Sequence, residues 1–438
     1  MMTLKRKGKD KNKVLITSLL FNGLSYVLYF GQYLKGICYM LIEVVMLLLA
    51  PKFWHVLKDF VTLGSSNPEV AIAARDNSAF MMIDGIVVLL VIFLYICFYV
   101  YVVKESLKEY SFYCKFGYFH KLNKTIIEII QDSFVGIALL PAVGFVLLLV
   151  IVPLFFSILA AFTSLSAPAN IAPSMTFDWV GFSNFVALFG GSAAWTSDFI
   201  RVLVWTLVFA LCATALSYAG GLLLAYILHH HKFKLKPAVQ VILMLPYAVP
   251  AVVSMLVWRT LLNGSFGVVN RTLMACGLID NPIPWLSDPV MAKITCILIS
   301  LWAGYSYFML LLLTSLNTIS PAIYDAAAAD GATRGQVIRK VIIPLLLERT
   351  SPFIFLSFAQ NLNNFTTVFF LTAGDPATAN TTTTSAGGTD TLVTWIYNLT
   401  FRLMKFNYAS VITVVLFVVL IPIFVYQFRK TNMYRKEK

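Results

Sequence analysis

Residues 320–346 read SPAIYDAAAADGATRGQVIRKVIIPLL. This island of alanine, acid, glycine and base interrupts two apolar runs, 292–316 and 346–372, and has no continuous apolar face of its own. Its punctuation is that of short helices. Ser320 suits an N-cap and Pro321 the first helical position. Gly331 suits a left-handed stop, because it carries no Cβ to clash there. The spacing predicts a helix of about ten residues, about 15 Å long at 1.5 Å per residue. A second short helix is expected over 333–342, carrying Arg334, Arg339 and Lys340. Pro344 biases Ile343 out of the α region, so the next span should begin only after it. The expected product is a compact helix-turn-helix slung between two membrane helices.

The rest of the chain is mostly oil. Of 438 residues, 59% are hydrophobic and 12% charged, against roughly 25% charged in ordinary soluble domains. Mean hydropathy is +0.81. Runs of about 20 apolar residues are what a helix needs to cross roughly 30 Å of hydrocarbon. Eight are predicted, at 35–50, 84–103, 135–163, 201–228, 238–262, 292–316, 346–372 and 408–428. The fold class is therefore all-α: a polytopic helix bundle embedded in a lipid bilayer. With both termini cytoplasmic, the inner segments hold 22 Lys and Arg against 6 in the outer loops, as positive-inside topology requires. The net charge of +13 then reflects topology, and no nucleic-acid partner is needed to explain it. A multi-pass protein of the cell membrane is expected.

Residues 14–34 are apolar enough for a ninth crossing, but a ninth would set every later loop against its charges. Gly23, Gly31, Asn22 and Gln32 also weaken the run, and an interfacial or re-entrant element is expected there. Two domains are expected: 1–133, with this element and two accessory helices, and 134–438, a core of six crossings containing the loop at 320–345. The outer stretch 164–200 reads as a loop with a short packed turn. By composition the threonine-rich 373–395 reads as a flexible linker.

Several chemistries lack their residues. No GxxxxGK[ST] phosphate loop occurs, nor HExxH or GxSxG, so no catalytic residue, bound cofactor or resident metal is expected. His229, His230 and His231 stand beside Lys232, Lys234 and Lys236 and read as a basic collar at a helix end. The six cysteines are scattered and read as small apolar fillers. Intramembrane acids are nearly absent, which argues against an ion-coupled carrier without excluding one.

Within 346–372 sits SFAQNLNNFTT, residues 357–367, with Gln360, Asn361, Asn363 and Asn364. Unpaired amides in hydrocarbon cost several kcal/mol each, about 4–8 on an alkane-transfer scale, so these need polar company. Ser357, Asn361 and Asn364 recur at i, i+4 and i+7, one stripe along a helix, flanked by Phe358 and Phe365. Hydroxyls and amides beside rings suit a neutral polyol. The competing reading is helix-to-helix glue. Tyr305 and Tyr307, in WAGYSYF at 302–308, add phenols, and Gly304 permits close approach.

The pattern Asp325-Ala326-Ala327, Asp330-Gly331-Ala332, Ile342 and Pro344 resembles the "EAA" loop of ABC-importer permeases. From about residue 200 onward the chain is most similar to the larger permease subunit of maltose/maltodextrin importers, of the Gram-positive type with a short outer loop. The family usually begins the motif with Glu, where this chain has Asp325. The resemblance implies that Asp325, Ala326, Ala327, Ala328, Asp330, Gly331, Ala332 and Pro344 meet an ATPase subunit. It implies a sugar site at Gly304, Tyr307, Ser357, Asn361 and Asn364, with Gln360 and Ala303 departing from the family's larger side chains. It further implies a second, unlike permease subunit, a dimer of ATP-binding subunits holding ATP-Mg, an extracellular solute-binding protein, and an oligosaccharide cargo, with maltose or maltodextrin expected first. Raffinose-type, multiple-sugar and glycerol-phosphate importers share the loop, so the cargo stays open.

Overall fold

A computed structural model describes residues 9–65, 67, 69–71, 74–117, 138–231 and 234–430. Among these the chain is helical, and its one β feature is an isolated bridge between Thr163 and Trp179. It divides into two compact units, Met1–Trp179 and Val180–Lys438. The expected boundary at 133/134 lies outside the described residues.

The first unit contains α1 (Lys9–Leu20), α2 (Tyr33–Thr62), α3 (Ser78–Phe116) and α4 (Ala138–Ala160). Residues 14–34 form no helix of crossing length. After α1 the chain breaks at Gly23 (φ +89°), makes one wide turn over Tyr26–Phe30, and breaks again at Gly31 (φ +69°). Gly23 is needed for a second reason, since a Cβ there would lie 2.3 Å from the Gly36 carbonyl oxygen of α2. The turn thus packs backbone to backbone on α2. Burying it requires internal partners for its polar groups. Ser18 bonds both Ser25 (2.9 Å) and Ser106 of α3 (2.8 Å), and the Asn22 N–H donates to the buried Glu43 carboxylate. That bond explains an acid in the middle of α2. Lys35 pairs with Glu105 at 2.6 Å across α2 and α3.

The second unit runs α5 (Ala193–His230), α6 (Lys236–Ala248), α7 (Ala251–Leu261), α8 (Val268–Ala275), α9 (Pro289–Asn317), α10 (Pro321–Ala329), α11 (Arg334–Leu362), α12 (Thr366–Leu371), α13 (Leu392–Phe401) and α14 (Phe406–Lys430). Its centre is the α5–α9 pair, each with 44% of its apolar span buried. A Cβ at Gly221 would lie 2.6 Å from Phe308, and one at Gly304 would lie 2.5 Å from Ser217. Small residues therefore set how closely these two helices approach, as is usual between membrane helices.

Six described helices are long and apolar enough to cross a membrane, or seven if α6 and α7 count as one. At 25 residues and 1.5 Å per residue, α14 also has the reach. Among the described residues each of the eight expected regions contains helix, with three corrections. The span expected over 238–262 is bent by 92° between α6 and α7, where Pro250 holds an extended ψ of 127° and donates no N–H. The span expected over 346–372 stops at Leu362 and restarts at Thr366. Finally, no helix ends before Pro344. A wide turn over Ile338–Ile342 lets Ile343 remain α-helical (φ −60°, ψ −48°), its N–H bonding Ile338. The shifted register accommodates the proline, so the expected short second helix continues into α11.

The threonine-rich stretch is no flexible linker. Residues 384–392 are all buried. Arg201 of α5 donates to the carbonyls of Gly387 (2.8 Å) and Ala386 (3.2 Å) and pairs with Asp198 (3.0 Å). Trp205 and Trp395 donate their indole N–H groups to Thr389 and Thr384. Thus the carbonyls of a nearly charge-free loop are satisfied by indoles and a guanidinium on its neighbours.

Asp390 is buried inside this knot, accepting from the Gly387 N–H (2.7 Å) and the Asn398 amide (3.2 Å). Burial pushes its carboxyl up to about 6, against hydrogen bonds from Gly387, Thr394 and Asn398 that pull it down. An acid whose pKa rises on folding stabilises most below its unfolded pKa, near 4, and loses that contribution as pH rises through 6. Hydrogen exchange over 384–392 in purified protein should accordingly be about tenfold slower at pH 5 than at pH 7.5, after correction for intrinsic rates. In Asp390→Asn the difference should vanish; an unchanged pH response would refute this role.

Candidate functional site

The alanine-rich loop folds as its capping residues dictate. Ser320 accepts from the Ala322 N–H and Pro321 opens α10. At the far end the Ala332 N–H reaches the Ala327 carbonyl and the Gly331 N–H the Ala328 carbonyl, both at 3.0 Å, with Gly331 at φ +70°. This is the double-bonded glycine stop. A feature not anticipated is the reciprocal cap of Thr333 and Gln336 that starts α11.

Burial divides α10 into two faces. Ile323 and Tyr324 pack against the cluster formed by Leu228, Phe308, Leu312, Leu316, Ile342 and Leu346. Asp325, Ala326, Ala328, Asp330 and Gly331 are exposed, while Ala327 and Ala332 are half-buried. The methyl groups therefore form an outward surface that a partner backbone can approach closely. Pro344 is separate from that surface, since it lies within α11 beyond the wide turn.

The amide stripe is only partly helical. Ser357, Gln360 and Asn361 lie on α11, whereas Asn364 lies in the break, where its Oδ1 accepts the Thr367 N–H of α12 (3.0 Å). Asn364 Nδ2 donates to Asn361 Oδ1 (3.4 Å), and Asn361 Nδ2 to Thr214 Oγ1 of α5 (3.0 Å). These bonds form a chain in one direction that occupies the amide oxygens and leaves N–H groups for another partner. Gln360 and Asn363 are exposed. On α9, Gly304 packs against Ser217 of α5, and the Tyr307 ring lies beside Tyr247 (6.4 Å).

Gly304 and Tyr307 lie on α9 and the amides on α11 and in its break. What relates them is α5, which offers Ser217 to Gly304 and Thr214 to Asn361, three residues apart on one helical face. Thr214 and Ser217 were missed in the sequence. The signal was available in Thr214, Ser217 and Tyr218, polar at i, i+3 and i+4 within an apolar run. Among the described residues no group of three His, Cys, Asp or Glu side chains could hold a metal.

The site thus combines a broken, amide-bearing span with a capped loop of exposed methyl groups. Residues 217–431 match the family described as binding-protein-dependent transport system inner membrane component. The chain is 32% identical over 414 residues to the galactooligosaccharides transport system permease protein GanP of Bacillus subtilis (strain 168), covering 93% of this chain and 95% of that one. It is 29% identical over 394 residues to the maltodextrin transport system permease protein MdxF of the same organism, covering 88% and 87%. To the maltose/maltodextrin transport system permease protein MalF of Escherichia coli (strain K12) it is 34% identical over 280 residues, covering 62% and 54%. A bacterial alginate ABC transporter, solved with an alginate pentasaccharide-bound periplasmic protein, shares the fold, with a TM-score of 0.55 at 24% identity over 69% of this chain and 96% of that one.

The chain belongs to the binding-protein-dependent inner-membrane components, the permeases of ABC importers. The ion-coupled carrier left open by the residues alone is thereby set aside.

Proposed function

We propose that this chain is one of two unlike permease subunits that together carry a short oligosaccharide across the cell membrane, with residues 134–438 as its transport core. Both termini are assigned to the cytoplasm on the placement of Lys and Arg. ATP-Mg is bound and hydrolysed by a dimer of separate ATPase subunits, which grip Asp325–Ala328 and Asp330–Ala332. An extracellular solute-binding protein delivers the sugar to Gly304, Tyr307, Ser357, Gln360, Asn361 and Asn364. The observation that carries this reading is the bonded chain Thr214–Asn361–Asn364 beside a break in α11, which leaves amide donors for hydroxyl oxygens.

Relatives named for maltodextrin and for galactooligosaccharides make gluco- and galacto-oligosaccharides the two cargo classes to compare. Titrating the cognate binding protein with maltodextrins and β-galactooligosaccharides of increasing length decides between them. Uptake into proteoliposomes should require internal ATP and survive an ionophore; ATP-independent uptake abolished by ionophore would overturn the assignment.

Gly331→Val tests the ATPase contact. A Cβ at this position meets nothing within 4 Å, but its φ of +70° disfavours any side chain, at a cost of about 1 kcal/mol or more. The complex should assemble, with transport per ATP reduced several-fold. Unaltered coupling in this variant would count against the loop as the ATPase contact.

A further inference from the structure

The coupling assignment leaves open how movement of α10 reaches the amide stripe. His229 and His230 end α5 and His231 follows in extended backbone; the three read from sequence as a basic collar. Two of them instead make specific contacts. His230 lies against Tyr226, one turn earlier on α5, with ring centres 4.0 Å apart and planes 31° apart, and its Nδ1–H donates to the Tyr226 carbonyl. His230 also meets His229 edge to face at 5.0 Å and, on α10, Tyr324 edge to face at 6.3 Å. His229 Nδ1–H donates to Asn317 Oδ1 at the end of α9 (3.0 Å). The Tyr324 hydroxyl is buried and finds no partner among the described residues. Its ring, rather than its hydroxyl, is therefore what the fold uses.

Further along, α5 is bonded twice more to α11. Tyr218 and Thr350 share a buried hydroxyl–hydroxyl bond (3.1 Å), and Thr214 accepts from Asn361 (3.0 Å). A single continuous helix thus touches α10 at one end and the amide stripe near its middle. Resting on the coupling reading, we propose that Tyr226, His230 and Tyr324 form an aromatic joint through which displacement of α10 is transmitted along α5 to Thr214 and Asn361. The tilted Tyr226–His230 pair fixes the imidazole on α5, and the edge-to-face contact with Tyr324 is a favourable ring geometry that joins it to α10. The three are positioning residues; none needs to touch sugar or nucleotide.

Hydrogen exchange of the whole transporter in nanodiscs tests this without knowledge of the sugar. The nucleotide-free complex is compared with one trapped by ATP-Mg and vanadate. In wild type, exchange changes on trapping over 205–216 and 357–367. In Tyr324→Ala and in the milder, surface His230→Ala, that distant response should fall about tenfold, within the usual size of coupling between sites. Protection of 321–329 by the ATPase should persist. Tyr324→Phe should behave as wild type, and Tyr324→Ala with His230→Ala should lose no more than Tyr324→Ala alone.

A distant response equal to wild type in both single variants overturns the joint. Loss of protection over 321–329 in the variants also overturns it, since Tyr324 then merely holds α10 in shape. If 321–329 gains no protection from the ATPase even in wild type, the coupling reading fails instead, and the joint with it.

Discussion

Arg201→Met is expected to destabilise the second unit by about 3 kcal/mol, the lower end of the cost of stranding a buried charge, because Asp198 is buried while the guanidinium is partly exposed. The reason lies in what the guanidinium does. It pairs with Asp198, whose side chain is 4% exposed, and it donates to two carbonyls of the threonine-rich loop. Removing it leaves the buried carboxylate with the Thr384 hydroxyl, at 2.5 Å, and takes the guanidinium donor from the Gly387 carbonyl, while the Ala386 carbonyl keeps Thr378 and Thr381. Purified complex should lose thermal stability, and the loop over 384–392 should become open to protease. Asp198→Asn added to Arg201→Met should recover part of the loss, because a neutral amide replaces the stranded charge. If Arg201→Met melts like wild type, the guanidinium is not what holds the loop.

Asn361→Leu is expected to lower uptake on the order of a hundredfold while the complex still assembles. The amide of Asn361 is central to the chain, donating to Thr214 and accepting from Asn364. Leucine is of similar size, so packing survives. Both neighbours lose a partner, and each unsatisfied polar group in a dry site costs about 1–3 kcal/mol. A sugar hydroxyl facing the site would lose its donor as well. Thr214→Val should show a smaller loss, since Asn361 keeps its contact with Asn364 but is no longer oriented. Transport by Asn361→Leu at the wild-type rate would remove the stripe from the sugar's path; reduced assembly would identify it as helix glue.

The sequence was most legible where local chemistry decides. Ser320, Pro321 and Gly331 occupy the capping roles their types suit, because a helix end is satisfied by residues next to it. Membrane crossings were legible because hydrocarbon thickness imposes a length. Proline was less informative. Pro344 reads as a helix boundary, yet a wide turn absorbs it, whereas Pro250 does break its helix. A local rule cannot tell which backbone bonds neighbouring helices will supply. The stripe was legible as a set of polar residues but not as a shape, since α11 ends at Leu362 and Asn364 caps the next helix instead of continuing the first.

Apolar length and the placement of charge, both readable one residue at a time, dictated a polytopic helix bundle with a capped polar loop. Three-dimensional packing decided the rest. It turned a threonine-rich linker into a buried knot, because Arg201 and Trp205 arrive there from α5 to satisfy its backbone and Trp395 folds back onto it. It also brought Thr214 to Asn361 across 147 residues, and set Tyr324 against a histidine of another helix. Such partners are chosen by which helices come to lie side by side, and the chemistry of adjacent residues carries no record of that.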